Sequence, residues 1–228
     1  MFKQGSLEFT NHLLSFDNID VNAKTSGESW TPFIRAVAYA HDDVAYALIN
    51  SGKDIELDHQ DFVGNAALMF FAVRQSPTLL ENNITVLMIQ KGANINLKNK
   101  EGRTALMLAV LHQKVEMVAH LISSDKIDLD AQDNYGYTAL MYAIESGQDS
   151  TAATLISAGS NFELISISGA TASTIAADFR RFAILNIMSS IKYKFAIEEG
   201  SRHYWKNMRE NNNGVMPDAV RAVERWKS

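Results

Sequence analysis

Cysteine is absent from the 228-residue sequence. Its absence excludes a disulfide framework, a zinc ribbon and a thiol nucleophile, although it does not fix the cellular compartment. Long apolar runs are also missing, since no stretch approaches the roughly 18 residues that cross a bilayer. The N-terminal residues contain no apolar core of a signal peptide. We therefore expect a soluble protein, cytoplasmic by default, or periplasmic or secreted if the chain is a trimmed mature form.

Positive charge is sparse and dispersed. The sequence carries 21 Lys and Arg against 26 Asp and Glu, for a formal net charge of −5. A nucleic-acid-binding domain usually has a basic stripe, whereas the basic residues here occur singly or in pairs. We expect neither nucleic acid nor a membrane as a partner.

Motifs of catalysis and metal binding are missing as well. No two of the six histidines have the i, i+4 spacing of a helical zinc pair. The sequence has no glycine-rich phosphate loop, calcium loop or nucleophile elbow. Its carboxylates are dispersed over predicted turns and helix ends, where they bond to the local backbone. We therefore expect no catalytic residues, no metal and no cofactor, and interpret the protein as a non-enzyme.

What the sequence does contain is an internal repeat. The segment 102–109, Gly-Arg-Thr-Ala-Leu-Met-Leu-Ala, recurs at 136–143 as Gly-Tyr-Thr-Ala-Leu-Met-Tyr-Ala, and weaker copies occur near Trp30, Gly64 and Gly169. Equivalent positions lie 35, 38, 34 and 33 residues apart: Thr31, Ala66, Thr104, Thr138 and Thr171. These intervals indicate a base period of 33 residues with small insertions.

A second landmark fixes the register. An apolar pair follows the anchor by 17 residues in three copies, as in Leu121-Ile122, but the pair of the second copy is five positions late. The excess predicts five extra residues between the two helices of that copy, within residues 75–83. We interpret this insertion as a surface loop, with a loop that contacts a partner as the alternative.

Each unit reads as a turn, a short helix, a tight connection, a second helix and an extended return. The threonine hydroxyl can cap the first helix, and Pro32 suits a first helical turn. Residues 13–23 align without gaps on residues 121–131. The chain is therefore predicted to begin with the second helix of a truncated unit, followed by five fuller units.

These segments resemble the ankyrin repeat family, whose motif is Asp-x-x-Gly-x-Thr-Pro-Leu-His-x-Ala followed by Leu-Leu-x-x-Gly-Ala-Asp-Val-Asn. The resemblance covers roughly residues 12 to 180, and its Thr-Ala-Leu-Met variant is common in bacterial and protist members. It implies an all-α solenoid of helix-turn-helix repeats with β-hairpin-like turns. The expected organisation is a capping half repeat at 1–25, five repeats at 26–190 and a helical C-terminal cap at 191–228. A partner-binding tail that uses Tyr204, Trp205 and Trp226 is the alternative to the cap.

The resemblance also implies where a partner binds. In this family the turn tips and the outward ends of the first helices line a concave face. Large apolar groups stand at several tips, where small polar residues are usual, and they favour a binding patch over mere packing between tips. The implied protein-binding residues are Trp30, Tyr39, Phe62, Val63, Asn65, Arg74, Arg103, His112, Tyr135, Tyr137, Tyr142 and Glu145.

The function implied is that of a non-catalytic protein-binding module. We expect an inhibitor or immunity-type protein that masks an enzyme, as a monomer or in a one-to-one complex. The alternative is an adaptor that joins two partners through the concave face and the C-terminal tail. The fold itself does not choose between them.

Overall fold

The computed structural model describes residues 3–75 and 79–192. Contacts divide the chain into Met1–Leu185 and Asn186–Ser228. Within the second unit residues 186–192 are helical. Most of the predicted cap or tail, with Tyr204, Trp205 and Trp226, lies outside the described residues, so the predicted domain boundaries stay a prediction.

The first unit is built from short helices. Ten have both ends defined: α1 Lys3–Leu14, α2 Pro32–Ala38, α3 Asp42–Asn50, α4 Ala67–Val73, α5 Leu79–Gln90, α6 Ala105–Leu111, α7 Val115–Ile122, α8 Ala139–Glu145, α9 Asp149–Ser157 and α10 Ala172–Asp178. Residues 182–185 are helical as well. Among the described residues β structure is limited to one isolated bridge, between Ile165 and Thr171.

The helices form two rows. The first helices of the units, α2, α4, α6, α8 and α10, pack side by side, and each pairs with the second helix of its own unit. The second helices α3, α5, α7 and α9 make the other row, which α1 extends at the N-terminus. This is the predicted all-α repeat solenoid, and the position of α1 agrees with a chain that begins on a second helix.

Small buried residues allow the first helices to approach closely. The alanine five positions after the anchor, at Ala36, Ala109, Ala143 and Ala176, is almost fully buried. In the second repeat Phe71 holds this position and is also completely buried. The interior of a protein is packed without spare volume, so a phenyl ring in place of a methyl group requires a local rearrangement.

Threonine caps begin four of the five first helices, as predicted. The hydroxyls of Thr31, Thr104, Thr138 and Thr171 accept a hydrogen bond from the backbone N–H three residues later. Each bond satisfies one of the amide groups that lack a partner in the first turn of a helix. Ala66 opens α4 without a side-chain cap.

The turn tips form a continuous backbone ladder that holds the repeats together. The N–H of Lys100 donates to the carbonyl of Val63 at 2.9 Å, and the N–H of Asn134 donates to Glu101 at 3.0 Å. The same link recurs from Ile167 to Tyr135 at 2.9 Å. Neighbouring tips are therefore held in a fixed register, and side chains that point outward from them lie in a row.

Gly136 lies where one tip closely approaches the next. Its φ is +77°, and a Cβ atom there would lie 2.8 Å from the Cα of Ser166. Gly52 has a φ of +76° but open space around it. Alanine at either position enters the left-handed region, which costs about 1–2 kcal/mol. Only Gly136→Ala adds a clash with the backbone.

We expect Gly136→Ala to lower the free energy of unfolding by about 1–3 kcal/mol more than Gly52→Ala does. Urea denaturation of both variants measures the difference, because Gly52→Ala carries the same backbone strain without the contact. Equal losses would mean that the tip of the fifth repeat gives way, and would contradict close packing between tips.

The insertion in the second repeat corrects one expectation. Residues 79–83 were predicted to belong to a surface loop, but they form the first turn of α5. Glu81 and Ile84 are buried. The extra residues lengthen α5 to 12 residues, against eight in α7 and nine in α3 and α9.

Candidate protein-binding surface

Four exposed apolar side chains lie on the turn tips. They belong to the second, fourth and fifth repeats, and we call them the tip face: Phe62, Val63, Tyr135 and Ile167. Their exposed fractions are 58%, 53%, 64% and 79%. Because the backbone ladder fixes the tips, this apolar surface is preformed and a partner loses little entropy in ordering it.

Trp30 is held by its neighbours more than it is presented. Its indole N–H donates to a carboxylate oxygen of Asp61 on the next tip at 3.3 Å. Its ring meets those of Tyr39 and Phe70 edge-on, with centroids 5.9 and 5.5 Å apart. The side chain is half-buried. Trp30 thus links the first tip to the second, as the packing alternative in the sequence anticipated.

A tyrosine cluster occupies the fourth repeat. Tyr137 and Tyr142 pack with ring centroids 5.2 Å apart. The buried Tyr142 donates its hydroxyl to Asp133, whose other oxygen accepts two tip amides. The guanidinium carbon of Arg103 lies 5.8 Å from the centroid of Tyr142. These contacts fix the orientation of the cluster through the turn itself.

The cluster forms one wall of an open cleft of about 410 Å³. Six residues line the cleft: Tyr135, Tyr137, Tyr142, Glu145, Ile167 and Ser168. Its size is within the lower range of small-ligand pockets. Four of the predicted binding residues therefore come together at one place. A smaller cleft of about 210 Å³, partly lined by Val63 and Asn65, lies between the second and third tips.

Burial and negative charge raise the pKa values of two phenols in this cluster. Burial, with the hydroxyl bound to Asp133, raises the pKa of Tyr142 to about 12, although Arg103 opposes the shift. Burial also raises the pKa of Tyr137, and the carboxylates of Glu145 and Asp133 add to it. Both groups stay neutral at physiological pH and sit in a negative local field.

We expect one tyrosine of the folded protein to ionise only near pH 12. Because this folded pKa lies above the value of about 10 in the unfolded chain, its stabilising contribution is complete below about pH 10. The contribution is lost as the pH rises from 10 towards 12. Ultraviolet titration of tyrosinate should show the late ionisation in the wild type and not in Tyr142→Phe. If Tyr142→Phe instead removed a tyrosine that ionises near pH 10, the buried Tyr142–Asp133 bond would be contradicted.

The other predicted residues have mixed environments. Tyr39, His112 and Glu145 are exposed at or beside the ends of first helices. Asn65 accepts a hydrogen bond from the side chain of Asn99 at 3.1 Å and is half-buried.

Arg103 is partly engaged. It pairs with Glu101 at 2.8 Å and keeps 28% of its side chain exposed. The neighbouring acidic and phenolic groups raise its pKa although burial opposes this, so it remains a cation.

Arg74 does not contribute to the exposed surface, contrary to the sequence-based expectation. Its guanidinium binds both oxygens of Asp42 at 2.6 and 2.9 Å and one oxygen of Glu81 at 2.8 Å. Lys114 approaches the other oxygen of Glu81 at 3.5 Å. All four side chains are at most 9% exposed. Burial raises the pKa of Glu81 although Arg74 and Lys114 lower it.

The sequence missed Ile167, the most exposed large apolar residue of the tips. Ser166 replaces the Asp or Asn that begins the other tips, so the turn of the fifth repeat was not searched for outward groups. The signal was present, because Ile167 stands three residues after Glu101 plus one repeat and one residue after Asn134 plus one repeat is not required to find it: an isoleucine between two serines before Gly169 is itself unusual for a turn.

Metal and membrane sites were also sought in residues 3–75 and 79–192. Within these ranges no group of three His, Cys, Asp or Glu side chains is placed to hold a metal ion. The helices of the same ranges include none that is long and apolar enough to cross a membrane.

Comparison with known proteins gives one family. Residues 79–166 match a family model described as ankyrin repeats in three copies. A crystal structure of the ankyrin repeat protein EF0377 superimposes with a TM-score of 0.68, at 22% sequence identity, over 82% of this chain and 96% of that one. This likeness establishes the fold.

Two curated relatives differ greatly in how much of their length is matched. The probable 26S proteasome regulatory subunit p28 of Saccharomyces cerevisiae is 23% identical over 184 residues, which cover 79% of this chain and 78% of p28. The tyrosine-protein kinase Shark of Drosophila melanogaster is 39% identical over 70 residues, or 31% of this chain. The chain spans only 7% of the length of that kinase.

Proposed function

Because the chain belongs to the ankyrin repeat family, we propose that it is a non-catalytic module that binds a protein partner through its tip face. The observation that carries the proposal is the row of exposed Phe62, Tyr135 and Ile167 on tips locked in register. Aromatic and large apolar groups are the usual anchors of protein interfaces. A monomer rarely leaves such groups aligned on one surface unless a partner covers them.

The finer role that we propose is inhibition, in which the tip face covers the active site or recognition surface of an enzyme. The apolar anchors and the cleft lie on consecutive repeats, so they suit one partner surface. A partner held over that whole row would have its own surface masked.

A second role, that of an adaptor, is favoured by one comparison. The yeast relative that this chain matches over 78% of its length is named as a probable regulatory subunit of the 26S proteasome. A chain of similar extent could by analogy join an assembly of several proteins, with the segment after residue 190 as a second contact.

Affinity capture from a lysate of the source cell tests the binding function. The baits are the wild type, a Phe62→Ala/Tyr135→Ala double variant and Phe9→Ala, whose phenyl group is equally exposed but lies on α1. We expect proteins retained by the wild type and Phe9→Ala to be lost by the double variant. Retention by all three baits would contradict binding through the tip face.

Assays of the captured protein separate the two roles. An enzyme whose activity falls as the purified chain is added in a one-to-one ratio supports the inhibitor. A chain truncated after residue 190 that keeps one partner and loses another supports the adaptor instead.

A further inference from the structure

The cleft of the fourth repeat combines aromatic faces with a free negative charge. Tyr135, Tyr137 and Tyr142 supply the rings, and Glu145 adds an exposed carboxylate. Within residues 3–75 and 79–192, no Lys, Arg or His forms an ion pair with Glu145. Among the described residues that line the cleft, none is cationic. A cation that entered would therefore meet attraction and no competing positive charge from the lining.

The local field has the sign that a cation requires. Two carboxylates, Glu145 and Asp133, act on the hydroxyl of Tyr137 strongly enough to raise its pKa. Asp133 is already bound to Tyr142 and to the turn amides, and Arg103 lies 3.9 Å from it. Glu145 is thus the carboxylate that remains available to a ligand.

The protein already uses one of these rings to hold a guanidinium. The guanidinium carbon of Arg103 lies 5.8 Å from the ring centroid of Tyr142. Guanidinium groups stack on aromatic faces and bind carboxylates through two parallel hydrogen bonds. A site with exposed tyrosine rings and an unpaired carboxylate offers both interactions together.

We propose that the cleft receives an arginine side chain of the bound protein. This inference rests on the proposed binding function and adds the chemistry of one contact. The guanidinium lies against Tyr135 and Tyr137 and pairs with Glu145, while Ile167 covers the aliphatic stem of the side chain. The remaining tip-face residues, Phe62 and Val63, contact an apolar part of the same partner.

The direct test titrates the protein with two small probes and follows backbone amides by NMR. N-acetyl-arginine methylamide carries the guanidinium, and N-acetyl-citrulline methylamide is its neutral isostere. We expect saturable shifts at Tyr135, Tyr137, Glu145 and Ile167 with the arginine probe, and binding weaker by at least about fivefold with the citrulline probe. Equal binding of the two probes, or shifts confined to other repeats, would overturn the proposal.

Two matched variants identify the carboxylate. Glu145→Gln removes the charge at the cleft, and Glu116→Gln removes an exposed charge from α7. Glu145→Gln should reduce affinity for the arginine probe about threefold or more, and Glu116→Gln should leave it unchanged. Both residues are exposed, so both variants are expected to fold. Equal effects would indicate only general attraction to an acidic protein and would contradict a site at Glu145.

The partner itself separates failure of this inference from failure of the binding function. If a captured partner binds Glu145→Gln as tightly as the wild type but is lost by Phe62→Ala, the arginine site is wrong and the tip face still binds protein. If the partner ignores Phe62 and Tyr135 altogether, the proposed binding function fails as well.

Discussion

Replacement of Arg74 by alanine is expected to lower the free energy of unfolding by about 3–5 kcal/mol. The loss follows from the charges that remain, because Asp42 and Glu81 are buried and their attraction to the guanidinium compensates for lost hydration. Lys114 approaches Glu81 alone, so Asp42 would lose its arginine partner. Urea denaturation of the two proteins measures the difference.

Arg35→Ala is the matched control for this prediction. Its guanidinium is exposed and lies 5.7 Å from the ring of Tyr39, so its loss should change stability by no more than about 0.5 kcal/mol. A double-mutant cycle of Arg74→Ala with Asp42→Ala should show a coupling of roughly 0.5–3 kcal/mol. A loss below about 1 kcal/mol in Arg74→Ala would mean that water reaches the carboxylates, and would contradict a buried network.

Loss of both tip anchors is expected to weaken partner binding at least about thirtyfold. Phe62→Ala and Tyr135→Ala should each cost roughly 1 kcal/mol or more in affinity, and their separation on different tips favours additive effects. Stability should be preserved, because both side chains are more than half exposed. Calorimetric titration with the captured partner measures the affinities, and thermal unfolding checks the fold.

Phe9→Ala is the control for these variants, since it removes a phenyl group of similar exposure from α1. Trp30→Ala differs from both, because its ring packs on Tyr39 and Phe70 and its N–H binds Asp61. It should lower stability as well as affinity. An unchanged affinity in the double variant would contradict the placement of the interface.

The repeat itself could be predicted because local rules and the period agree. Thr104 and Thr138 cap helices in the structure as their sequence position predicts, and Gly102 and Gly136 occupy left-handed turns. Each of these features depends on residues within a few positions along the chain. A 33-residue period then determines which elements become neighbours.

Contacts between repeats were harder to predict. Arg74 stands at the end of a first helix, where exposure is usual, but Asp42 lies 32 residues before it in the chain and Glu81 seven residues after it. Sequence spacing did not reveal that the insertion would extend α5 and bring Glu81 inward. Likewise Tyr142 was predicted to reach the groove, yet burial and the bond to Asp133 leave it 8% exposed.

The most direct test of the central claim is amide hydrogen exchange of the chain with and without its captured partner. Binding through the tip face predicts slower exchange in residues 61–65, 133–137 and 166–170, where the tips lie. Exchange in the second helices α3, α7 and α9 should change little. Protection confined to those helices, or to residues beyond 190, would contradict a partner held by the tips.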